Sequence, residues 1–197
     1  MTHGVKIIGL AGTNGSGKDT VGQLLAQRHN YYFISVTELL RDELTRRGVS
    51  TERENTRALS MEWRHEFGLS VLIDRAMAAF EQVRGQYDGV VMASLRNPYE
   101  ADRIHELDGT VIWVDAQPEV RYKRIQENYR GRPDDNKTFE QFIAEEQIEM
   151  HGTSDAASLD MTAVKARADV VITNNSAELA ALEAEVDRTL GLNTKEL

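Results

Sequence analysis

Val5-Lys6-Ile7-Ile8-Gly9-Leu10 followed by Ala11-Gly12-Thr13-Asn14-Gly15-Ser16-Gly17-Lys18-Asp19-Thr20 decides the fold. The first six residues read as a buried strand, Val5–Leu10, and Asp19–His29 has the apolar spacing of a helix. Between them lie Gly12, Gly15 and Gly17, then Lys18. Glycines at that density let consecutive backbone N–H groups turn inward around an anion. A helix starting after Gly17 adds its positive end, and Lys18 adds a mobile cation. The stretch is therefore a phosphate cradle, and a strand–cradle–helix unit belongs to an α/β protein.

The spacing G-x-x-x-x-G-K over Gly12–Lys18 is that of the Walker A motif. Lys18 is placed to meet the β- and γ-phosphates of ATP, and Asn14, Gly15, Ser16 and Gly17 to line the cradle. Asp19 stands where Ser or Thr usually ligates magnesium, and Thr20 follows. Asp19 either contacts hydrated Mg²⁺ or caps the helix. Thr20 is the candidate hydroxyl for the α-phosphate or the metal.

Outward from the cradle, strands alternate with helices. Tyr31–Ile34, Gly89–Ser94, Thr110–Asp115 and Ala168–Thr173 are short, apolar and β-branched with no polar face. That pattern marks a parallel sheet covered on both sides. Ser35 with Glu38, Asn97 with Glu100, and Thr138 with Gln141 read as capping boxes. Helices are expected from Ser35 to Arg47, over 55–67 and 69–84, from Pro98, from Pro118, from Thr138 to His151, and over Ala177–Leu190. Asn128–Lys137 and Gly152–Asp160 read as loops, with disorder only at Asn193–Leu197. The expectation is one domain over 1–197: a three-layer α/β/α P-loop NTPase fold on a five-stranded parallel sheet. It carries an acceptor-binding helical insert at 38–85 and a short lid at 126–152.

The 197 residues hold 41% apolar and 28% charged side chains, as soluble globular chains do, and no Cys. Disulfides, Cys-based zinc sites and thiol nucleophiles are thereby excluded. The net charge of −9 disfavours nucleic acid and anionic membrane as partners. No apolar run is long enough to span a bilayer, and Met1–Val5 lacks the start of a signal peptide, so a cytoplasmic protein is expected. The five His residues show no ligand spacing, and Trp63 and Trp113 read as packing residues. Oligomeric state is not encoded legibly.

The chain resembles the nucleoside monophosphate kinases of the adenylate kinase type and the dephospho-CoA kinases. Ser35-Val36-Thr37-Glu38-Leu39-Leu40-Arg41 resembles the acceptor segment of the former, which implies that Ser35 and Arg41 meet the acceptor. Val36 stands where that family has Thr. Ser94-Leu95-Arg96-Asn97-Pro98 resembles the strand end whose Arg holds the acceptor phosphate, which implies that role for Arg96, although Ala93-Ser94 replaces an acid. Asp115 to Glu119, then Arg121 and Arg124, resemble the entry to the lid. The match assigns Arg124, Arg130 and Arg132 to the transferring phosphoryl group. Ala168–Asn175 resembles the dephospho-CoA kinase segment near adenine, which implicates Asn174.

The resemblance implies ATP and Mg²⁺ and a small phosphate-bearing acceptor, foremost a (deoxy)nucleoside monophosphate. Transfer to a ribose hydroxyl, as in dephospho-CoA kinases, is the second reading. It needs a base, for which Glu38 is the only nearby acid in the sequence. A non-catalytic ATP-bound switch protein is the third. Guanidinium groups suit phosphoryl transfer because the protein's work there is positioning and charge neutralisation. Asp115 ends a buried strand and is the candidate acid for Mg²⁺. Arg53, Arg57 and Arg64 lie in the mixed-charge stretch Thr51–Phe67, read first as a solvated helix face with one Arg in reach of the acceptor.

Overall fold

The computed structural model describes residues 6–127 and 137–191. The expected loop at 128–136, including Arg130 and Arg132, and the tail at Asn193–Leu197 lie outside the described residues.

Five parallel strands form one sheet in the order β2-β3-β1-β4-β5. They are β1 (Lys6–Ala11), β2 (Tyr31–Ser35), β3 (Gly89–Leu95), β4 (Thr110–Asp115) and β5 (Val170–Thr173). Every residue of β3 is buried, and so are the last four of β1 and the middle four of β4. Such strands are stable only with helices on both faces.

On one face lie α1 (Lys18–His29) and α9 (Leu179–Leu190), packed over Leu10, Val91, Ile112 and Ile172. The other face is covered by α2 (Val36–Arg46), α4 (Val71–Glu81), α5 (Pro98–Glu106) and α8 (Met161–Lys165). There α3 (Arg53–Phe67) packs on α2 and α4. Trp63 and Trp113 are both buried core residues. α6 (Pro118–Glu127) and α7 (Phe139–Met150) pair beside the carboxyl ends of the strands.

This is the expected three-layer fold, with local corrections. Ser35 precedes α2 in extended conformation, but its side chain makes no capping bond, so the expected capping box is absent. Glu38 instead accepts from Arg41 one turn on, a charged partner stronger than a backbone N–H. The boxes of Asn97 with Glu100 and Thr138 with Gln141 are formed. The short α8 had no expectation; Asp160 caps it by accepting from Ala163 N at 2.8 Å. The 69–84 helix ends at Glu81 and is followed by a 3-10 turn, Arg84–Gln86.

At the carboxyl end of β3 the register slips. Leu10 pairs with Ala93 and Ala11 with Leu95, leaving Ser94 as an extra residue at φ 74°. A bulge there turns the strand end toward the cradle, and the left-handed backbone of a non-glycine residue is locally costly.

Candidate active site

The strand order places β1 between β3 and β4, with the chain winding out to either side. Ligands of such sheets bind beyond the carboxyl ends at this switch point. A cleft of about 690 Å³ opens there.

The cradle is formed as its sequence requires. Gly12 and Gly17 have φ of 145° and 93°. A Cβ on Gly12 would lie 2.3 Å from the Val114 carbonyl oxygen, and one on Gly17 would lie 2.3 Å from Asn174 Nδ2. Substituting Gly12 with Ala is expected to destabilise the protein by about 1–3 kcal/mol through backbone strain alone, and to abolish nucleotide binding. Thermal melts with and without Mg-ATP check both outcomes.

Lys18 is 7% exposed, and its side chain has no hydrogen bond or ion pair among the described residues. Burial lowers its pKa; Asp19 and Glu149 push it back up, and Arg96 and Arg53 push it further down. An ammonium held in that setting without an anion is a group waiting for one. Asn14, Gly15, Asp19 and Thr20 line the same cleft. Glycine backbone, buried cation and neighbouring hydroxyl fit a nucleoside triphosphate. No described group of three or more His, Asp or Glu is arranged as a metal site. Magnesium in such proteins needs none, since substrate phosphates and water supply most of its ligands.

Asn174 braces the cradle from just past β5. Asn174 Nδ2 donates to the Ser16 carbonyl at 2.8 Å, and its Oδ1 accepts from Arg124 at 3.3 Å. Arg124 lines the cleft, donates to the Ser176 carbonyl at 2.7 Å, and has its pKa lowered by burial. Arg121, one turn earlier, was named in the lid-entry resemblance but given no role in the site. It donates to the carbonyls of Ala116 (2.8 Å) and Asn14 (3.3 Å) and pairs with Glu146. It thereby ties the cradle to α7.

Across the cleft lie Arg41 and Arg96, as expected, and also Arg53, Arg57 and Arg64. The expected solvated face of α3 is thus corrected: its arginines turn inward because α3 lies over the carboxyl end of the sheet. Arg64 is fully buried and donates to Glu100 at 2.7 Å and to the Ala157 carbonyl at 3.0 Å. Glu100 also accepts from the backbone N–H groups of Arg96 (2.8 Å) and Asn97 (3.1 Å), fixing the backbone that carries the Arg96 side chain. Asn97 Nδ2 holds the carbonyls of Ala156 and Ser158 at 2.8 Å, so the expected loop at 152–160 is pinned against the site.

Glu149 had no sequence signal. It lies on the last turn of α7, lines the cleft, and pairs with both Arg96 and Arg53. Burial alone would raise its pKa, but the two guanidinium groups outweigh this and hold it below the usual carboxylate value.

Gly12, Ser16 and Asn174 do not line the cleft, and two further expected residues do not either. Asp115 accepts from Lys165 Nζ of α8 at 2.9 Å and does not line it. Ser35 does not line it either; Val36 and Thr37 do.

Known proteins share this architecture. A shikimate kinase from Bacteroides thetaiotaomicron superposes with a TM-score of 0.58 at 17% identity, over 95% of this chain and 97% of that one. A shikimate kinase from Acinetobacter baumannii in complex with shikimate gives 0.51 at 17% identity, over 98% and 97%. The sheet with its flanking helices is a P-loop kinase fold. In sequence, a UPF0200 protein of Pyrobaculum aerophilum is 31% identical over 191 residues, 94% of this chain and 97% of the relative. One from Hyperthermus butylicus is 30% identical over 185 residues, 93% and 92%. The family model described as AAA domain matches residues 8–149. With the cradle, the fold and these relatives in agreement, the chain belongs to the family described as AAA domain and to the UPF0200 proteins.

Proposed function

We propose that this protein transfers the terminal phosphoryl group of ATP to a small phosphate-bearing acceptor, a (deoxy)nucleoside monophosphate. The observation that carries the reading is Lys18, a buried cation with no hydrogen-bond or ion-pair partner among the described residues, set in a glycine cradle and facing a set of arginines across one cleft. Lys18 and the cradle amides bind the phosphates of ATP. Thr20 shares Mg²⁺, which when bound neutralises charge on the transferring group. Arg41, on the segment 38–85, and Arg96, just past β3, orient the acceptor, and Arg124 approaches the transferring group from α6. The protein's part is to hold both substrates in line and exclude water.

A phosphate oxygen is favoured over a hydroxyl as nucleophile. A hydroxyl needs a carboxylate to take its proton. Glu38, the acid the sequence offers for that role, is engaged by Arg41.

An acceptor panel with Mg-ATP, reading ADP release, tests this. Nucleoside monophosphates are expected to exceed dephospho-CoA and water alone. Replacing Arg96 with Ala is expected to lower kcat/KM for the acceptor about 100-fold through loss of a charge-assisted contact, with KM for ATP unchanged. ADP release that is the same with water as with every acceptor would overturn the reading.

A further inference from the structure

We infer that Glu149 is a built-in stand-in for the acceptor's phosphate, and that Arg53 and Arg57 of α3 join Arg96 in the site it vacates. The inference rests on the reading above that the acceptor binds in this half of the cleft.

Glu149 Oε1 accepts from Arg96 Nη1 at 3.0 Å and from Arg53 Nε at 2.8 Å, with Arg53 Nη2 at 2.5 Å. Two guanidinium groups from separate elements, the end of β3 and the start of α3, converge on one oxygen. That is the arrangement a phosphate oxygen would meet. Glu149 Oε2 has no hydrogen-bond partner among the described residues, and the side chain is 14% exposed at the cleft wall. One turn along α3 from Arg53, Arg57 lines the same cleft and has no ion-pair partner among the described residues. Its neighbours in the wall are otherwise committed: Arg41 to Glu38, and Arg64 to Glu100.

Charge decides which anion wins. The carboxylate brings one negative charge and uses one oxygen. A phosphate monoester brings about −1.5 to −2 at neutral pH and three acceptor oxygens. It can engage Arg96 and Arg53 together and give Arg57 a partner. Glu149 then loses both contacts and faces a dianion. α7 keeps its other ties, Glu146 to Arg121 and Glu145 to Lys137 at 2.5 Å. Acceptor binding therefore frees the last turn of α7 while its middle stays attached to the cradle. Specificity follows as well: a singly charged acceptor cannot outcompete the resident carboxylate, whereas a phosphate monoester can.

The test is calorimetric titration of inorganic phosphate into two proteins, one with Glu149 intact and one with Glu149→Gln. Both carry Lys18→Met, which removes the cradle's own claim on phosphate. ATP binding to the chain with Lys18 is measured separately, so a failed cradle and a failed stand-in are told apart. Glu149→Gln is expected to tighten phosphate binding about 10-fold or more, since a repelling charge is gone. Adding Arg57→Ala is expected to reverse most of that gain. Should the glutamine variant not fold, Glu149→Asp retains the charge on a shorter stem and is expected to tighten binding about 3-fold, an intermediate step toward the same loss of competition. Phosphate affinity that is unchanged or weaker in these variants, or absent in all, overturns the inference and leaves Glu149 a structural clamp.

Discussion

Replacing Lys18 with Met is expected to raise the stability of the ligand-free protein while removing its response to ATP. Lys18 is 7% exposed, its ammonium has no hydrogen-bond or ion-pair partner among the described residues, and burial depresses its pKa. Burying an uncompensated polar group costs about 1–3 kcal/mol by mutational measures, and Met fills similar volume without it. For a chain of this size each kcal/mol moves Tm by about 2–4 °C, so a rise of about 2–12 °C is expected. The parent protein should gain about 2.7 kcal/mol in Mg-ATP at 100 times Kd, and the variant almost none. Turnover should fall about 10²–10³-fold, the usual loss when one group stabilising transition-state charge is removed. A thermal melt with and without Mg-ATP reads the first two effects together. A variant that is less stable without ligand, yet still shifts fully with ATP, would show that Lys18 serves packing and not phosphate.

Glu100→Gln is expected to give the largest loss of stability of any single change in the site. Arg64 and Glu100 are 1% and 0% exposed. Removing one charge of a buried pair costs about 3–5 kcal/mol, because the other is left uncompensated. A Tm fall of roughly 6–20 °C follows for a chain of this length. The effect should reach function too. Glu100 anchors the backbone N–H groups of Arg96 and Asn97, so the variant's surviving native state should bind acceptor less tightly. Adding Arg64→Met should recover part of the stability, since an apolar replacement of a buried pair is often tolerated. It should not recover acceptor affinity, because the anchor for Arg96 is still weakened. Urea unfolding separates the outcomes; a Tm within 2 °C of the parent for Glu100→Gln alone would rule out this account of the pair.

Glu100 shows where sequence reading succeeds and where it stops. Its capping role was legible, because a cap is a contact between residues three apart beside a proline at the first helical position. Its pairing with Arg64 was not, because the two are 36 residues apart and nothing local in Thr51–Phe67 distinguishes an inward arginine from a solvated one. Glu149 is the same case at greater separation, 53 residues from Arg96 and 96 from Arg53. Ser35 failed in the other direction. Its local pattern promised a capping box, and Arg41 took the glutamate. Asp115 ended a strand as expected, but the position of α8 decided that its partner is Lys165.

By itself the sequence determined the strands, the cradle and the alternation that makes the sheet parallel. Each is written in local periodicity or in glycines whose backbone angles other residues resist. Tertiary structure alone decided which charges meet in the cleft, Arg53, Arg57, Arg64 and Arg96 facing Lys18 with Glu149 among them, and that Glu100 is buried behind it against Arg64. The reason is that pairing between charges depends on distance through space and on exclusion from water, and neither is a property of neighbours along the chain.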